Sequence, residues 1–152
     1  KNIHAYVFGE HGDTSFIPWS GAYVSGVSLD EYYETVEKMG RNVTKIDKDA
    51  MLEYVRTSGG QVIANKGATF YAVSVAVCKL VATILSSSDS VATVSSMMHG
   101  EYGIEDVCLS TLTLVGPKGV QGKIPMRMTK EEVEKLKASA DALKAVIAQI
   151  EH

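Results

Sequence analysis

The sequence predicts an α+β fold in which an antiparallel sheet carries packed helices. Three strand-like runs, residues 91–98, 107–115 and 120–124, follow one another with only tight glycine-bounded connections between them, as antiparallel neighbours do. Helical periodicity lies outside that block and is clearest from Thr129 onward. Nowhere do strands alternate with helices in the manner that builds a parallel sheet.

Residues 3–8 alternate Ile3, Ala5 and Val7 with polar or amphipathic neighbours and read as a strand that breaks at Gly9-Glu10-His11-Gly12-Asp13. Residues 17–24 are apolar but punctuated and read as extended, with Pro18 at an edge or bend. Asp30, Glu31, Glu34 and Glu37 mark a solvated helix ending near Gly40. A second helix starts after Thr44 or Asp47, and Ser58-Gly59-Gly60 is expected to kink or split it, since glycine costs about 1 kcal/mol against alanine there. Residues 69–85 are apolar on nearly all sides, with Lys79 the lone formal charge, and read as a helix buried within the domain rather than a membrane span.

The connections also speak. Gly116-Pro117-Lys118-Gly119 reads as a hairpin turn between the last two strands. The final helix opens on a capping box, Thr129 with Glu132, and carries Val133, Leu136, Ala140, Leu143, Ile147 and Ile150 at three-to-four spacing.

A chain of 152 residues is one domain's worth, able to bury roughly 70% of its unfolded surface. At 45% apolar and 22% charged residues it is not a disordered chain. A net charge of −3 lacks the basic excess of a nucleic-acid or anionic-membrane binder. Cys78 and Cys108 sit in apolar runs and read as two small buried hydrophobes, which suits a reducing compartment. The opening Lys1-Asn2-Ile3-His4 lacks an initiator methionine and a charged leader. The expectation is a C-terminal piece of a longer protein, with no signal peptide.

Several chemistries find no support. There is no Gly-x-Gly-x-x-Gly opening a helix, no phosphate loop, no His-x-x-x-His or Cys-x-x-Cys, and no nucleophile elbow. What remains is His11, bracketed by glycines at a strand end, where the backbone can approach a ligand and the ring stays open. An imidazole exchanges its proton near neutral pH, with an unperturbed pKa of about 6.5. On spacing alone, an acid/base group and a plain surface-loop histidine fit equally.

Gly9-Glu10-His11-Gly12-Asp13-Thr14, then Pro18-Trp19-Ser20, resembles the histidine signature of the lactate/malate dehydrogenase family, and of its L-lactate branch in particular. Lys66-Gly67-Ala68-Thr69, Val91-Ala92-Thr93-Val94-Ser95, the run from Gly100 to Val107, and Ser139-Ala140 with Leu143-Lys144 extend the resemblance in order along the chain. The signature is shared with malate and other 2-hydroxy acid dehydrogenases; Trp19-Ser20 and Thr69 tilt it toward lactate.

The resemblance implies residues 1–152 are a C-terminal substrate domain whose partner, an N-terminal dinucleotide-binding domain, lies outside this chain. It implies a cytoplasmic, glycolytic enzyme that interconverts pyruvate and L-lactate with NAD. His11 is then the proton donor and acceptor, Thr69 lines the pocket beside the substrate's small side chain, and Val73 faces the nicotinamide. Without the resemblance, Thr69 reads as a helix cap and Val73 as a core valine.

His4, seven residues before His11, has the spacing of the histidine that contacts fructose 1,6-bisphosphate at a subunit interface in activated bacterial relatives, which are homotetramers. Gly60 stands where many bacterial relatives have tyrosine. A keto acid's carboxylate wants a guanidinium, yet Arg41, Arg56 and Arg127 match no family position. The arginines, and the aspartate that orients the histidine, are expected from the other domain. The alternatives are a malate or other 2-hydroxy acid dehydrogenase and, from another class, a non-catalytic oligomerisation module.

Overall fold

The computed structural model describes residues 2–150; Lys1, Glu151 and His152 lie outside the described residues. Element order is β1 (Ile3–His4), β2 (Tyr23–Val24), β3 (Val27–Ser28), α1 (Leu29–Lys38), α2 (Lys48–Lys66), α3 (Tyr71–Leu85), β4 (Ser90–His99), β5 (Glu105–Gly116), β6 (Gly119–Lys123) and α4 (Lys130–Ile147). The class is α+β, but the strands form two antiparallel three-stranded sheets, β1-β2-β3 and β4-β5-β6, rather than one.

The large sheet follows its predicted strands closely. β4 and β5 pair from Ser90↔Val115 to Met97↔Cys108, and β5 turns into β6 with Gly116 opposite Gly119. Val107 and Leu109 alternate inward and meet Leu136 and Ala140 of α4, together with Phe8, Phe16, Met98 and Ile104. This is the main core; Leu109, Leu136 and Met98 are fully enclosed. A second, smaller cluster joins Ala22, Leu29 and Tyr33 beneath Trp19.

Helix ends are capped by the rules of sequence. Thr129 and Glu132 form the expected capping box. Ser28 and Glu31 form another at α1, which starts at Leu29, just before the acidic run. Asp47 accepts from the Asp49 and Ala50 N–H groups to start α2. α2 ends at Gly67, whose φ of 85° provides the left-handed cap and returns an N–H to the Ile63 carbonyl at 2.7 Å.

Further expectations are corrected. Only Ile3 and His4 of residues 3–8 form a strand, because the chain then leaves β2 to make single bridges, Phe8 to Phe16 and Gly9 to Ser110. α2 runs unbroken through Gly59-Gly60, since capping at both ends and helix length outweigh two glycines. α4 ends at Ile147, so Ile150 does not extend its apolar stripe.

The largest correction concerns α3, which is a helix but has no buried residue. Among the described residues Val75, Val77 and Leu85 expose between 55% and 81% of their surface. Cys78 on α3 and Cys108 on β5 are likewise exposed and unpaired, not buried hydrophobes. Apolar composition shows that a surface must be covered, not that this chain covers it. No helix among the described residues is long and apolar enough to cross a membrane.

Burial therefore separates side chains that composition treats alike. Leu136→Ala is expected to cost about 2–5 kcal/mol in urea denaturation, whereas Leu85→Ala stays within about 0.5 kcal/mol.

Candidate active site

Residues 9–15 form a loop closed at its neck by two backbone hydrogen bonds, Phe8 N–H to the Phe16 carbonyl at 2.8 Å and the reverse at 3.0 Å. Gly9 is bound to β5 by a reciprocal pair with Ser110, at 3.1 and 2.9 Å. From α4, the buried Ser139 hydroxyl accepts the Glu10 N–H at 2.8 Å. The Glu10 carboxylate then folds back over the loop, accepting the Thr14 N–H at 3.1 Å and the Thr14 hydroxyl at 2.8 Å. From α2, Arg56 donates Nε to the Ser15 carbonyl at 3.0 Å, and Nη2 to the same oxygen.

Three elements thus hold the loop, and only its tip, His11-Gly12-Asp13, is exposed. Gly9 is required by geometry: its φ is 100°, and a Cβ there would lie 2.7 Å from Ser139 Oγ. His11 opens onto a cavity of about 510 Å³, with Val7, Phe8 and Val55 as apolar wall and Glu10, Asp13, Arg56, Thr93 and Ser110 as polar lining. An imidazole held this way can pass a proton to a small molecule in the cleft.

The segment after the loop is anchored to the same helix. Glu132 accepts the Ser20 N–H at 3.0 Å, the Ser20 hydroxyl, and the Thr129 N–H at 2.8 Å. Burial pushes its carboxyl up, but those hydrogen bonds from Ser20 and Thr129 outweigh it and hold the group below the ordinary carboxylate value.

The other predicted residues do not join His11. Thr69 is exposed at the α2–α3 corner and absent from the lining of the cleft; α3 has Phe70 at its N-cap position with no side-chain cap, so Thr69 is not the expected helix cap. Val73 is 52% exposed on the first turn of α3, outside the cleft and outside the core. His4 lies on β1 against a separate cavity of about 320 Å³, with Tyr6, Tyr23, Leu112 and Met126.

The sequence assigns no working role to Arg56, Glu10, Thr14 or Ser139, although the last three fall within the motifs that carry the resemblance. A hydroxyl in the apolar stripe Leu136-Ser139-Ala140-Leu143 was the available signal, because a buried hydroxyl needs a partner. Among the described residues no set of three or more His, Cys, Asp or Glu side chains is gathered as metal ligands.

Fold and loop together define an α+β domain that presents the exposed His11 imidazole on a loop tethered to three elements. Residues 1–152 match the lactate/malate dehydrogenase, alpha/beta C-terminal domain family from end to end, and the chain belongs to that family. It is 37% identical to an L-lactate dehydrogenase of Acetivibrio thermocellus over 99% of its length and 47% of the relative's. The solved L-lactate dehydrogenase from Clostridium thermocellum superposes with a TM-score of 0.84 at 35% identity, covering 99% of this chain and 47% of that one. A malate dehydrogenase from Archaeoglobus fulgidus, solved in complex with NADH, gives 0.82 at 27% identity, with 100% and 46% covered. The chain thus spans about half the length of the relatives it matches.

The Glu132 network has a pH signature. A carboxyl held low in the folded state stabilises the fold fully above its unfolded value of about 4.5 and loses that contribution as pH falls through the folded value. Thermal melts from pH 7 to 3 are expected to show a shallower acid loss for Glu132→Gln than for the wild type, and a lower midpoint for the variant at pH 7. An unchanged acid slope would remove Glu132 from that role.

Proposed function

We propose that this chain is the substrate-side domain of an NAD-dependent L-lactate dehydrogenase, with the dinucleotide-binding domain outside it. The observation that carries the reading is the exposed His11 imidazole on a loop tethered to three elements, in a chain of this family. Reduction of a 2-keto acid leaves negative charge on the former carbonyl oxygen. An imidazolium in place polarises that oxygen and then gives it a proton; the reverse reaction returns the proton from the hydroxyl to the ring.

The residues present fit only the reacting end of NAD. No glycine-rich loop joins a strand to a helix to hold the phosphates, whereas the cleft beside His11 has room and an apolar wall for a small keto acid. Bound NADH supplies the hydride. Thr69 and Val73 lie outside that cleft, so their proposed contacts with the substrate's methyl and the nicotinamide rest on the family resemblance alone. Arg56 spends Nε and Nη2 on the Ser15 carbonyl, so the carboxylate clamp falls to a guanidinium from the other domain.

The same reading carries a cytoplasmic glycolytic homotetramer with fructose 1,6-bisphosphate bound at His4. Among the residues lining that cavity His4 alone can carry positive charge, so further cations must come from elsewhere. A 2-hydroxy acid other than lactate is the second reading, favoured by the likeness to a malate dehydrogenase.

In the full-length protein, His11→Gln is expected to reduce pyruvate turnover by about 10²- to 10⁴-fold with NADH binding nearly intact; a near-normal rate ends the acid/base role. The chain of residues 1–152 alone is expected to show no turnover and no NAD binding by calorimetry. Comparing pyruvate, oxaloacetate and 2-ketoisocaproate as substrates of the full-length protein decides between the two readings.

A further inference from the structure

We infer that Ser139 is the positioning residue for His11, acting through the backbone of the loop; the inference rests on the acid/base role proposed above. Ser139 is completely buried, on the stripe of α4 that Leu136 and Ala140 press into the core. Its place is therefore set by core packing and not by the loop. A hydroxyl in such a stripe costs free energy unless it is bonded.

The bonds it makes all go to the loop. Ser139 Oγ accepts the Glu10 N–H, the amide immediately before His11, at 2.8 Å. It lies 3.0 Å from the Thr14 hydroxyl, which in turn donates to the Glu10 carboxylate at 2.8 Å. The Gly9 backbone sits directly on it, so close that a Cβ would approach to 2.7 Å. Residues 9, 10 and 14 enclose the tip on both sides, so one oxygen anchored in the core sets where the imidazole stands over the cleft. A misplacement of about 1 Å in a reacting group can cost a hundredfold in rate.

The test uses the full-length protein. Ser139→Ala is expected to lower kcat for pyruvate about 10- to 100-fold, leave the KM for NADH within about twofold, and move the melting midpoint by only a few degrees. In the His11→Gln background the same substitution is expected to change the residual rate by less than about twofold, because there is no imidazole left to position. Thr14→Val, which breaks the same network from the loop side, is expected to repeat both results should Ser139→Ala fold poorly. An undiminished kcat in both single variants overturns the inference, as does an equal loss with and without His11, which marks a general structural effect. If His11→Gln itself leaves the rate intact, the acid/base reading falls first, and that arm is read without any change at Ser139.

Discussion

Leu136 and Ala140 of α4 pack into the same core as Val107 and Leu109 of β5, and this seam decides where the neck of the His11 loop stands. It is formed by side chains that are essentially withdrawn from solvent. Such packing is dense and yields little to local stress. The hydrogen-bonding groups on its edge, the Ser110 backbone on one side and the Ser139 hydroxyl on the other, inherit that rigidity. A glycine-bracketed loop is otherwise among the more mobile pieces of a chain. Here its neck rests on two elements that cannot move apart without opening the core.

The tethering is uneven across the molecule, and the unevenness has chemical meaning. The loop and the segment that follows it are bonded to α4 through Ser139 and Glu132. α2 reaches the loop through one guanidinium on the Ser15 carbonyl, and α3 leaves a broad apolar surface in water. The tethers among the described residues are thus concentrated around His11. The exposed apolar helix, which carries Val73 and follows Thr69, is left to be covered by another surface.

Much of this was legible in the sequence. The three strands of the large sheet, the Gly116–Gly119 hairpin and the Thr129–Glu132 cap depend on alternation, turn chemistry and capping, all of which act between residues near one another in the chain. His11 could be singled out because two glycines and a polar break advertise an open backbone. The tethers could not be read. Ser139 and Glu10 are 129 positions apart, and Arg56 and Ser15 are 41 apart. The continuous α2 and the exposed α3 show the same limit from the other side, since local composition alone argues for a break and for burial.

Local physics therefore determined the strands of the large sheet, the Gly116–Gly119 hairpin, the capped start of α4 and the open His11 loop, because propensity, capping and periodicity are short-range effects. Only the tertiary structure decided which hydroxyl, carboxylate and guanidinium surround that imidazole, and which apolar face stays open. Those depend on how the elements pack, and packing is a property of surfaces brought together from distant parts of the chain.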